Sequence, residues 1–189
     1  MVNIVQTLSI SGAAERRPSS MRGWRVRGFT LVELITVVTI VGVIAALSAP
    51  SFAELIRSQR IKSTTNDLLA SLSFARSEAV KRNANVTVTA VTISGTTSWS
   101  NGWSVTYVDG GTTVTPRTQP KLEQLTIVVN PSSLTAVTFG GGGRVDANGV
   151  FTVESVPQSN NATRCVEVRV DGLPREWIER SGNHACSDE

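Results

Sequence analysis

The sequence predicts an α+β fold, a long N-terminal helix, membrane-spanning in its first half, packed on an antiparallel β-sheet domain. Three observations carry this. Residues 34–53 are uncharged and mostly apolar, apolar residues then recur at helical spacing as far as Arg82, and after Asn85 the pattern switches to period two. The implied organisation is a basic front segment over residues 1–28, a helix over 29–82 with an apolar first half, and a β-rich globular domain over 83–189. At 189 residues with 40% apolar content, the chain suits one core with appendages and is too short for an elaborate multidomain enzyme.

The front segment explains the net charge. Arg16, Arg17, Arg22, Arg25 and Arg27 stand there against Glu15, a local +4; since the whole chain carries +3, residues 29–189 carry −1. A broadly basic folded domain is excluded, so any case for nucleic-acid binding has to be local.

The first helix begins with a span. Residues 34–53 read LITVVTIVGVIAALSAPSFA, and twenty helical residues at about 1.5 Å each reach about 30 Å, one bilayer core. The basic MRGWRVRG before it predicts a cytoplasmic N-terminal side, with the chain beyond residue 50 outside the inner membrane. A cleaved secretory signal or a plain anchor is also apolar. The run is nevertheless longer than the roughly 7–15 residues of a signal core, and neither reading uses Glu33. A carboxylate just inside an apolar span costs about 2.5–3.5 kcal/mol on insertion scales, less near the interface, and calls for a partner.

These residues resemble a known signal. Arg27-Gly28-Phe29-Thr30-Leu31-Val32-Glu33, after a basic leader and before a long apolar helix carrying Pro50, is similar to the class III signal of type IV pilins and pseudopilins. The resemblance implies that residues 1–28 are a leader, that prepilin peptidase cuts between Gly28 and Phe29 on the cytoplasmic side, and that the new amine of Phe29 is methylated. It further implies that Glu33 pairs with the N-terminal amine of a neighbouring subunit during assembly. Glycine before the cut has a steric reason, because a residue without Cβ lets a protease approach the backbone closely. Starting at Met21 gives an eight-residue leader and starting at Met1 a twenty-eight-residue one; Met21 is the expected start.

Beyond the span, Ile61, Leu68, Leu72, Ala75 and Ala79 recur at helical intervals, with Arg57, Lys62, Arg76 and Lys81 elsewhere. One long helix of roughly 80 Å is the economical reading, ended by Asn83 as a C-cap residue. Gly42 and Pro50 predict a kink or a melted turn near Pro50. The strands expected are Val86-Val88-Ala90, Trp103-Val105-Tyr107, and residues 125–129, 134–139, 150–153, 164–170 and 176–179, with Asp171-Gly172 turning between the last two. This half resembles the GspH/FimT family of minor pilins and pseudopilins through Leu69-Ala70, Ala75-Arg76-Ser77-Glu78-Ala79, Asn101-Gly102-Trp103, Phe139 and Gly143-Arg144-Val145. Ala75 and Ala79 would admit a strand close to the helix, with Trp103 covering the joint. Trp99, Trp103 and Trp177 are expected to be core residues rather than a binding surface.

No catalytic constellation stands out. His184 is the only histidine and lies in a polar tail, and the glycines of residues 140–143 lack a following Gly-Lys-Ser/Thr, so a hairpin rather than a phosphate loop is expected. Cys165 and Cys186 are the only cysteines and lack the partners of a zinc site. No metal or cofactor is expected; outside the cytoplasm a disulfide is the natural outcome, and inside it free thiols.

The family resemblance implies a structural or priming subunit of a type IV pilus, whose partners are other minor and major pilins or pseudopilins, prepilin peptidase and the inner membrane. A minor pseudopilin of type II secretion is the alternative; cysteines near the C-terminus favour the pilus. A third reading is DNA capture, since some FimT-like pilins bind DNA through a C-terminal glycine-and-arginine motif. Here Gly172-Leu173-Pro174-Arg175 offers Arg175 alone, with Glu176 and Glu179 beside it and Arg180 beyond. Phosphate affinity grows with the number of phosphates neutralised, so weak binding is expected.

Overall fold

Helix α1 runs Leu31–Arg82, and local chemistry closes both ends. In this computed structural model, which describes residues 28–158, 163–179 and 186, the Glu33 amide donates to the Thr30 hydroxyl at 3.2 Å and the Leu34 amide to the Thr30 carbonyl at 3.1 Å. Thr30 is therefore the N-cap, and Glu33 stands at the third helical position, the spacing of a capping box. At the other end Asn83 adopts a left-handed φ of 49°. The Ala84 amide donates to the Ala79 carbonyl (3.2 Å) and the Asn83 amide to the Val80 carbonyl (3.3 Å), the paired bonds of a Schellman motif. Between these ends the helix continues unbroken through Gly42 and Pro50, so the melted turn expected at Pro50 does not form. A proline removes one backbone bond, and here the Ser51 hydroxyl donates to the Ser48 carbonyl at 2.8 Å, an added bond within that turn.

The chain divides into two compact units, Met1–Ile44 and Ala45–Glu189. Among the described residues the second unit holds eight strands: β1 (Val86–Ile93), β2 (Thr96–Asp109), β3 (Thr112–Gln119), β4 (Leu125–Asn130), β5 (Ala136–Phe139), β6 (Gly149–Ser155), β7 (Arg164–Val168) and β8 (Pro174–Ile178). They form two four-stranded antiparallel sheets, ordered β3-β2-β1-β5 and β4-β6-β7-β8. The α+β class read from the sequence is the observed one.

Period-two patterning in these strands feeds a single core. From the helix come Ile61, Leu68, Leu72, Ala75 and Ala79, from the first sheet Val86, Val88, Trp103, Val105, Val137 and Phe139, and from the second Ile127, Phe151, Val153, Val166 and Val168. Trp99, Trp103 and Trp177 are structural. Trp103 is fully buried and donates to the Ser71 hydroxyl at 2.9 Å. Trp99 donates to the Leu134 carbonyl at 2.8 Å and stands edge-on to Phe151, centroids 4.8 Å apart. Trp177, partly buried, packs against Val150, Cys165 and Cys186.

The two sheets are stitched by a wide irregularity in β2. Ala90 faces Trp103 while Val91 faces Ser98, so residues 99–102 leave the ladder. Gly102 sits there at φ 93°, where a Cβ would run into the backbone of Gln119 and Pro120, and Asn101 donates to the Thr96 carbonyl at 2.9 Å. The excursion brings Ser100 to the second sheet: its hydroxyl accepts from the Ile127 amide at 3.0 Å and its carbonyl from the Leu122 amide at 3.0 Å.

Strand β3 escaped the sequence reading for a physical reason. Its residues TTVTPRTQ bury nothing fully, and Pro116 fits only because this is an edge strand. With neither face in the core, no apolar alternation is written into it. The last strand lies at Pro174–Ile178, slightly earlier than expected, and the Asp171-Gly172 turn is present: Gly172 (φ 71°) donates to the Arg169 carbonyl at 2.7 Å, and the Leu173 amide to the Asp171 carboxylate at 3.0 Å.

Candidate functional site

The N-terminal unit presents the first group of candidate residues. Gly28 and Phe29 precede the helix in irregular backbone, and a Cβ at Gly28 would meet open space. Phe29 is 72% exposed, and every large apolar side chain from Leu31 to Leu47 is exposed as well. The 18 residues Leu31–Ser48 have a mean hydropathy of 2.4 and none of them is buried. Such a surface requires a membrane or other helices. The hydroxyls inside it are already satisfied, since Thr36 and Thr39 each donate back to the carbonyl four residues earlier at 2.8 Å. Glu33 is the only ionisable residue of this span. Thr30, its capping partner, was not singled out from the sequence, although Thr-x-x-Glu before an apolar run is a legible helix-start signal.

In the second unit Cys165 is joined to Cys186 by a disulfide. Both cysteines are buried, on the face of β7 that carries Glu167 rather than Val166 and Val168. Arg175, the residue considered for DNA, is bonded to the Asp171 carboxylate at 2.8 Å, and Arg164 on β7 faces Glu176 on β8 at 3.9 Å. Arg180 and His184, like the front segment with Met21, lie outside the described residues. Among the described residues no group of three His, Cys, Asp or Glu side chains is arranged to hold a metal ion.

A charged clamp closes the C-terminal end of α1 on the first sheet. Arg82 donates to Glu78 at 2.8 Å and to the Tyr107 hydroxyl at 2.8 Å, lies 3.7 Å from the centre of the Tyr107 ring, and reaches Asp109 at 3.6 Å. The bond from Arg82 holds the Glu78 carboxyl below its ordinary range, and the same bond raises Arg82 above its own.

Three of the sequence motifs meet at one point. Arg76, in the helix, donates through Nε to the Gly143 carbonyl at 3.1 Å. Gly143, in the tight turn after β5, has the left-handed φ of 72° that favours glycine, and a Cβ there would crowd the Val80 and Arg76 side chains. Gly172, in the β7–β8 turn, packs its α-carbon directly on the Gly143 carbonyl. The glycine run is thus a turn packed on the helix, with Gly140 donating to Arg144 at 2.9 Å and Gly143 to Gly140 at 2.8 Å.

These geometries meet their counterpart in comparisons with known proteins. Residues 64–173, more than half of the chain, match the family described as type II transport protein GspH. The chain belongs to the GspH family. Residues 25–49 of this GspH-family chain match the prokaryotic N-terminal methylation motif, which takes in Gly28, Phe29 and Glu33. Two crystal structures of the type IV minor pilin FimU of Pseudomonas aeruginosa strain PAO1 are similar, with TM-scores of 0.50 and 0.51 and 21% and 22% identity. They cover 62% and 68% of this chain and 91% and 92% of their own. At that identity the likeness concerns the fold. No curated protein matches the sequence. As a GspH-family protein with this motif, the chain is a minor pilin or pseudopilin, and its family is a structural one.

Proposed function

We propose that the chain is the precursor of a type IV pilus minor pilin, cut after Gly28, methylated on Phe29 and assembled through its apolar helix with its β-rich domain in the periplasm. The observation that supports this best is the exposed span Leu31–Ser48 starting at a capped Glu33 and directly preceded by an open Gly28-Phe29 bond. A leader ending at Gly28 would leave Phe29 as the first residue and Glu33 as the fifth. The role is structural rather than enzymatic, with other pilins, prepilin peptidase and the inner membrane as partners. The disulfide favours an oxidising compartment, and the solved structures of similar fold named above are of a type IV minor pilin. A minor pseudopilin of type II secretion uses the same helix and the same processing, and is the second reading.

The test is mass spectrometry of the N-terminal peptide from membranes and from sheared filaments, combined with deletion of the gene. N-methylated Phe29 in the filament fraction and loss of piliation with secretion intact is the expected outcome. Loss of secretion with piliation intact selects the second reading, and an unprocessed N-terminus overturns both.

DNA capture gains little support from Arg175, whose guanidinium is engaged by Asp171. Binding of the full chain in detergent to a duplex oligonucleotide at physiological salt is expected to be weak and nearly unchanged by Arg175→Ala. Submicromolar affinity lost on that substitution would promote the DNA reading.

A further inference from the structure

Arg76, which donates to the Gly143 carbonyl, also lines a groove that the fold itself does not use. It measures about 620 Å³ and runs between the helix, where Arg76, Ser77, Val80 and Lys81 line it, and the β7–β8 turn, where Leu173 and Pro174 line it. The volume is that of an ordinary ligand cleft. Its floor is apolar and open: Val80 is 52% exposed and Leu173 45%, both within one compact unit whose other large apolar side chains are mostly buried.

The charge on this groove has one sign. Among the described residues no acidic side chain lines it. Arg76 spends its Nε on the Gly143 carbonyl and has no carboxylate partner among the described residues. Arg144, next to Gly143 and with its α-carbon against Gly172, is not itself a lining residue but is exposed and has no carboxylate partner among the described residues. Lys81 touches Glu78 only at 3.4 Å and keeps 71% of its side chain in solvent, because Glu78 is already held by Arg82. The opposite pattern prevails a few residues away, where Arg82, Arg164, Arg169 and Arg175 are each paired with an acid.

An apolar trough edged by Arg76 and by a Lys81 that stays largely in solvent despite its contact with Glu78 selects a particular occupant. We infer that this groove docks an extended acidic segment, carrying at least one apolar side chain, of a neighbouring subunit in the same assembly. The apolar side chain fills the space over Val80, Leu173 and Pro174, and its flanking carboxylates meet Arg76, Arg144 and Lys81. A protein segment fits better than a nucleic acid, because the cations number three and the floor between them is apolar, whereas duplex binding relies on many phosphate contacts. No lining residue of the groove belongs to the apolar span Leu31–Ser48, so this surface would set which neighbour is chosen rather than whether the subunit assembles. The inference rests on the filament reading above.

The experiment places a photo-crosslinking amino acid at Ser73, which lines the groove but takes no part in the recognition, in the full-length chain expressed with its cognate pilins. Crosslinked peptides are mapped by mass spectrometry in the sheared-filament fraction. The expected product joins Ser73 to a segment of another subunit that is net negative and contains an apolar residue. Lys81→Glu with Arg144→Glu should reduce that crosslink at least about tenfold, as expected for lost charge pairs across an interface, and reversing the acidic residues of the mapped segment should restore it. Arg76 is left intact in this variant because it also holds the Gly143 turn. A crosslink to DNA, a crosslink to a segment without acidic residues, an unchanged yield in the reversed-charge variant, or no crosslink in a subunit that still enters filaments would each overturn the inference. Absence of the subunit from filaments would instead overturn the filament reading.

Discussion

Glu33 stands at the third position of a helix whose first turns are apolar and exposed, and two functions compete for its carboxylate. One is local: glutamate or glutamine at this position completes a capping box with Thr30. The other is the offset of its burial cost by a neighbouring amine once the chain leaves the membrane. Substitution separates them. Glu33→Val should be cut normally after Gly28 and yet be missing from sheared filaments when immunoblots of filaments and membranes are compared. Glu33→Gln keeps the box and removes the charge, so failure of both variants identifies the charge as the assembly determinant. Incorporation of Glu33→Gln at the normal level would assign the requirement to capping, and incorporation of both would refute the pairing mechanism. Glu33 was legible in the sequence because a lone carboxylate in an apolar run is costly; Thr30 was equally legible once the helix start was fixed.

At the scale of the elements, one buried side-chain pair joins α1 to β2 within the core. Ser71 donates to the Asp67 carbonyl at 2.7 Å and accepts from the buried Trp103 indole at 2.9 Å. Ser71→Ala strands that indole N–H in the core, and a buried donor without an acceptor costs about 1–3 kcal/mol. Urea unfolding should show the midpoint falling with an unchanged slope, whereas a change under about 0.5 kcal/mol would mean the indole finds another acceptor. The sequence marked Trp103 as core but was silent on Ser71, since a serine on the helix carries no sign of what it will face. The second element-scale device is the disulfide, which ties the described Cys186 back to β7 across 21 residues of sequence. In the chain-entropy picture a loop of that length contributes about 3 kcal/mol. Cys186→Ser should lower thermal stability accordingly, and an unmoved melting temperature would show that the tail is held without it.

The whole molecule separates a surface that needs an apolar environment from a domain that has its own core. Removing residues 29–56 takes away the exposed span and leaves Ile61 and the other helical core residues in place. That fragment should run as a soluble monomer in gel filtration; persistent large oligomers would place the assembly contacts on the globular domain instead. The sequence by itself determined the α+β class, the span, the end of the helix at Asn83 and most strands, because each is written in local periodicity, charge exclusion or capping residues that act over a few positions. Strand β3 was not legible, since an edge strand exposed on both faces has no pattern to show. The tertiary structure alone decided the division into two sheets, the excursion at Gly102 that joins them, the choice of Ser71 for Trp103, the packing of Arg76 on Gly143, and the groove that Arg76 lines. All of these depend on which distant residues become neighbours, and that is fixed only when the helix and both sheets close on one core.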